Sequence, residues 1–143
     1  MRTKLTTAAV LLVTCLAFAA KQETLQDLMV RCDSAKVDDR PGLCADVAER
    51  QLKSANELFT AGKVDEARSA LKDVVTFCEK AHDAAIQSGK RVKNTEIEFR
   101  KMAAKLRDIK RTVNFEDQEP IQAAADRLEA LRTELLTHMF KGK

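Results

Sequence analysis

Beyond about residue 20, apolar side chains recur at three- and four-residue steps, and no segment alternates apolar with polar. The first spacing builds one face of an α-helix and the second one face of a strand, so the chain reads as all-α. A short first helix over about Thr24–Ala35 carries Leu25, Leu28, Met29 and Cys32 on one side, with Thr24 and Asp27 at the spacing of a capping pair. Lys36–Gly42 is a turn in which Asp38 or Asp39 can cap and Pro41 can sit in the first turn of the next helix. The second helix runs to Ala61 along Cys44, Val47 or Ala48, Leu52, Ala55 and Leu58 or Phe59, and Gly62 stops it. The third opens on Asp65 and Glu66, follows Ala67, Leu71, Val74, Cys78, Ala81 and Ala85, and ends at Gly89.

Thr95 and Glu98 repeat the capping spacing and predict a fourth helix starting at Thr95 or a few residues earlier, with Phe99, Met102, Leu106, Ile109 and Val113 inward. Asn114–Pro120 is the last turn, and a fifth helix carries Ile121, Ala124, Leu128, Leu131, Leu135 and Met139. Four long helices of similar length with short connections predict an up-and-down antiparallel bundle, the short first helix packing beside it.

The elbow from Ala55 to Leu71 resembles a tetratricopeptide repeat. Ala55, Leu58, Gly62, Val64, Ala67, Leu71 and Val74 stand where that motif places its small and large packing residues. The resemblance covers about one repeat, from Ala48 to Ala81, and implies a helical hairpin. Gln51 replaces a large aromatic, Glu79 replaces the closing proline, and no second copy follows. A repeat array needs about three units to bury its faces, so a peptide-binding superhelix is not expected. The stretch from Asp108 to Phe140 is similar to short, uncharacterised exported proteins of bacteria, which implies a bacterial source and no particular activity.

Composition supports the helical reading: among 143 residues there are only 4 Gly and 2 Pro, with no Trp or Tyr. It changes the picture at the N-terminus. Arg2 and Lys4, an apolar run to Phe18 and the small-residue end Ala19–Ala20 form the layout of a secretory signal. The expected organisation is therefore a signal peptide over residues 1–20, cleaved after Ala20, and a single helical domain over residues 21–143. Two alternatives stand beside it: an uncleaved N-terminal anchor, or a lipoprotein box at Leu12–Cys15, where Thr14 is larger than the usual small residue. Export places the protein in the periplasm or outside a bacterial cell.

An oxidising compartment makes the cysteines informative. Removal of Cys15 leaves Cys32, Cys44 and Cys78. Cys32 and Cys44 lie at similar distances from the first turn, so an antiparallel hairpin sets them level. That pair is preferred because it clamps the helix with the least surface to bury, and Cys44–Cys78 across the Gly62 elbow is its rival.

Candidate chemistry is thin. Glu79 and His82 have the spacing used in di-iron bundles, but Glu134 and His138 are four apart and no glutamate lies inside an apolar stripe, so the histidines read as surface residues. A zinc site from Cys44, Cys78 and His82 competes with oxidation of the thiols. No nucleophile–base constellation or phosphate loop is visible, which predicts a protein that is not an enzyme, with no cofactor, no metal and no small-molecule substrate.

Mature charge is nearly balanced, yet Lys90–Arg111 holds nine basic and three acidic residues. Lys93, Arg100, Arg107 and Arg111 are the candidate face for an anionic surface, against the plainer reading of a solvated helix side. Nucleic acid is disfavoured by export and by the lack of stacking aromatics. The expectation is an exported structural or protein-binding module with an unidentified protein or envelope partner; the alternative is a periplasmic bundle for a small ligand or metal.

Overall fold

The computed structural model describes residues 23–141, so the signal sequence expected over residues 1–20, with its alternatives at Leu12–Cys15, lies outside the described residues. Five α-helices follow one another with no strand among the described residues: α1 (Leu25–Ser34), α2 (Arg40–Thr60), α3 (Val64–Ser88), α4 (Val92–Lys110) and α5 (Gln118–Lys141). A 3-10 turn, Phe115–Asp117, leads into α5.

Local chemistry explains most boundaries. The backbone N–H of Asp27 donates to Thr24 Oγ1 at 3.1 Å, capping α1. Gly62 and Gly89 adopt φ of 75° and 65°, a left-handed turn that glycine takes without a Cβ penalty. Two capping expectations are corrected. Asp39 precedes α2 without making a side-chain cap. Thr95 caps nothing, although α4 does begin the expected few residues earlier, at Val92; the buried Thr95 hydroxyl donates to the Arg91 carbonyl one turn back. The boundary falls earlier because Arg91 itself turns the chain, with φ of 57°, an uncommon conformation for a residue with a side chain.

Cross-helix partners give the directions. Arg107 of α4 meets Glu129 of α5 and Glu96 meets Arg132, so these helices run antiparallel. Glu79 and His82 of α3 meet Arg127 and Glu134 of α5 in rising order, so α3 and α5 run parallel. The fold is two antiparallel hairpins, α2/α3 and α4/α5, the second laid on the first with α3 against α5 and α2 against α4. The tight corner at Gly89–Arg91 is what carries α4 back alongside the start of α2.

The core contains the predicted stripes: Cys44, Val47, Ala48, Leu52 and Ala55 from α2; Ala67, Leu71, Val74, Cys78, Ala81 and Ala85 from α3; Phe99, Met102, Leu106 and Ile109 from α4; Ile121, Ala124, Leu128, Leu131 and Leu135 from α5. Burying each large aliphatic of this set stabilises the fold by about 1.5–3 kcal/mol. Alanines dominate the α2/α3 seam and let those helices approach closely. No described helix is long and apolar enough to cross a membrane.

Candidate functional site

Cys32 and Cys44 are joined in a disulfide with their Cα atoms 5.2 Å apart, tying the last turn of α1 to the first turns of α2. Cys78 is an unbonded thiol, fully buried in α3. Loss of solvent pushes its pKa well above the ordinary range, and the charge of Glu79 adds to the effect. With Cys44 oxidised and Cys78 held as a neutral thiol, the zinc arrangement from Cys44, Cys78 and His82 is not formed.

The basic residues of α4 divide into two groups. Lys93, Arg100, Arg107 and Arg111 are all exposed, and their seven- and four-residue spacing puts them on one side of the helix. Arg107 is taken up by Glu129 at 3.2 Å and Arg111 by Asp108 at 3.2 Å. Lys93 and Arg100 have no acidic partner among the described residues, and neither does nearby Lys105. Below them Glu96, which reads as a surface acid in the sequence, is buried and bonded to Arg132. Its bond, and then that from Glu129, hold the Arg132 guanidinium in its charged form.

Of the two histidines, expected at the surface, only His82 departs from expectation. His138 is exposed, but His82 is only 7% exposed, wedged between α3 and α5. Glu79 does not join it; its carboxylate accepts from Arg127 at 2.8 Å. The ring of His82 lies between two other carboxylates, Nδ1 at 2.9 Å from Asp83 and Nε2 at 3.1 Å from Glu134. Beside the ring lies a groove of about 330 Å³, lined by His82 with Ile86, Thr133, Glu134, Thr137, His138 and Lys141. The pairing with Glu134 could not be read from the sequence, because it depends on which faces of α3 and α5 meet and at what level. Among the described residues, no group of three His, Cys, Asp or Glu side chains stands close enough to hold a metal ion.

A second cleft lies where α2 meets α4. The Arg91 guanidinium rests on Gly42, with Nη1 2.7 Å from where a Cβ at that position would stand. Asp46 lines the cleft beside it, opposite Glu98. The cleft walls take part of the water from the exposed Asp46 carboxyl and raise its pKa; Arg50 and Arg91 work against that rise.

The chain matches no protein-family model, no curated protein and no solved structure.

Proposed function

We propose that this protein is an exported helical module of the bacterial periplasm or cell envelope that acts by binding rather than by catalysis, docking on an anionic envelope surface through the outer side of α4. The observation that carries the reading is the open pair Lys93 and Arg100, two turns apart on an exposed helix face, neither in an ion pair among the described residues because Glu96 between them is turned inward to Arg132. Charges already shared with acids, as Arg107 and Arg111 are, have less to offer a partner. The Cys32–Cys44 disulfide supports an oxidising compartment, and the signal layout of residues 1–20 supports export.

Vesicle flotation tests the reading. Purified protein should float with vesicles containing an anionic phospholipid and not with purely zwitterionic ones. Raising salt well above 0.1 M, where the screening length is about 10 Å, should release it. Combining Lys93→Glu with Arg100→Glu should abolish binding, while Arg111→Glu should weaken it by less. Equal flotation with both vesicle types, or binding that survives the double reversal, would remove the anionic-surface reading.

A further inference from the structure

Two phenylalanines among the described residues are exposed, Phe115 at 88% and Phe140 at 67%, near opposite ends of α5. A single exposed hydrophobic side chain is ordinary, so exposure alone says nothing. What separates the two is their company. Phe115 is followed by Glu116, Asp117 and Glu119, and the basic residue nearest to it in sequence, Arg111, is already paired with Asp108. The surroundings of Phe140 follow from the register of the second hairpin. Lys110 meets Gln122 and Arg107 meets Glu129, so each step back along α4 matches a step forward along α5. Phe140 lies 18 residues after Gln122 and 11 after Glu129, about five and three helical turns, and so stands on the same flank of α5 as both. Leu136, half-buried, is one turn before it. Lys93 and Arg100 lie 14 and 7 residues before Arg107, on the flank of α4 that turns toward α5. A straight helix drifts about 20° per seven residues, which carries Arg100 and then Lys93 further outward than the paired Arg107. The last turns of α5 do reach the first turn of α4, for His138 and Met139 line one shallow cleft with Val92, Lys93 and Asn94. Leu136 and Phe140 therefore stand beside Lys93 and Arg100 on one outward face.

We propose that this α4/α5 face lies on a lipid bilayer, with Phe140 and Leu136 entering the boundary between headgroups and acyl chains and Lys93 and Arg100 on anionic phospholipid headgroups. The inference rests on the anionic-surface reading above and names the surface. A soluble polyanion gives the two cations partners but gives a protruding phenyl ring nothing apolar to enter. A bilayer takes both, because attraction to anionic lipid adds to the burial of apolar area at the interface. Lysine and arginine can lay their stems along apolar surface and keep their charged ends at headgroup level. The helices lie flat rather than cross, since no described helix is long and apolar enough to span. One ring and two free cations make the attachment reversible.

The test exploits a chain without Trp or Tyr. Phe140→Trp and Phe115→Trp each introduce one fluorophore at an exposed position and should leave the fold unchanged, as melting will show. On vesicles of phosphatidylglycerol and phosphatidylcholine in equal parts, Phe140→Trp emission should shift to the blue and be quenched by brominated acyl chains, while Phe115→Trp emission should do neither. Phe140→Ala should weaken vesicle binding roughly tenfold, the lower end of what burying a large apolar side chain supplies, and leave binding to dextran sulfate unchanged. Vesicle binding that Phe140→Ala does not alter, or Phe140→Trp emission left unquenched on bound protein, would overturn the inserted face and leave the anionic-surface reading standing. Binding to dextran sulfate but not to vesicles would put a polyanion in place of the membrane. Binding to neither would remove the anionic-surface reading and this inference with it.

Discussion

The two hairpins are held together by different chemistry. Between α2 and α3 the described residues show a single side-chain hydrogen bond, Gln51 to Asp73 at 3.1 Å, over a seam of alanine, valine and leucine. Between α4 and α5 the core is flanked by Arg107–Glu129, Arg132–Glu96 and Lys110–Gln122. The first hairpin carries in addition a covalent clamp on its smallest neighbour, α1, which buries only Leu28 and Cys32 fully. Close apolar packing is indifferent to salt and to single charges. Packing flanked by ion pairs responds to both. The contrast also explains why the exposed charge of α4 is divided: part of it is structural, spent on α5, and part is left facing outward.

The largest effect should come from the clamp. Replacing Cys32 and Cys44 together by Ala should cost about 3 kcal/mol, the entropy of a short open loop in the unfolded chain. Amide exchange should rise first in α1 and at the start of α2, with α5 little changed. Loss of protection spread evenly over both hairpins would show that the disulfide serves the whole bundle and would erase the distinction. A non-reduced tryptic map should join residues 32–36 to residues 37–50.

Second in size is the ionic seam. Glu96 is 6% exposed, so Arg132→Met strands a buried carboxylate. Removing one partner of a fully buried pair costs about 3–5 kcal/mol; the Arg132 side chain is 27% exposed, water can reach the site, and about 2 kcal/mol is expected. Glu96→Gln keeps a hydrogen bond and should cost roughly half as much. Urea unfolding read at several salt concentrations checks both. A larger loss from Gln51→Ala, which removes the side-chain hydrogen bond of the α2/α3 seam, would reverse the ranking.

The same contrast decides what was legible in the sequence. Periodic apolar residues announce themselves, so the five helices, the α2/α3 stripe and the left-handed glycines at 62 and 89 could all be read. The level of Cys32 and Cys44 across one turn follows from counting along a hairpin. Partners across helices do not follow from counting. Glu96 looks like one more surface acid until α5 brings Arg132 over it, and His82 looks exposed until the face of α5 that meets α3 covers it. Thr95 misled for a local reason: a good capping spacing yields when the chain has already turned at Gly89 and Arg91. The turn before α5 was legible, but its 3-10 form at Phe115–Asp117 was not, since a single 3-10 turn has no apolar period, and α5 starts at Gln118 rather than after Pro120.

The smallest effect concerns Asp46, where the first hairpin meets the second and where a glance suggests another ion pair. Arg50, Arg91 and Arg31 all favour its charged form, yet desolvation by the cleft outweighs them and Glu98 adds to it, leaving the pKa raised. A raised carboxyl pKa means that the folded state binds more proton than the unfolded state between the two midpoints. Stability contributed by this group is therefore greatest below the ordinary aspartate value and falls as pH rises through the window up to the raised value. The carboxyl is largely open to solvent, so the fall should be only about a few tenths of a kcal/mol. Asp46→Asn should flatten that part of the stability–pH curve without harming the fold at neutral pH, the opposite of Glu96→Gln. Arg91→Ala should move the Asp46 midpoint higher still, as read from its carboxyl carbon by NMR. An Asp46 midpoint below the ordinary value would make it a stabilising ion pair, and the apolar hairpin would then share the chemistry of the charged one.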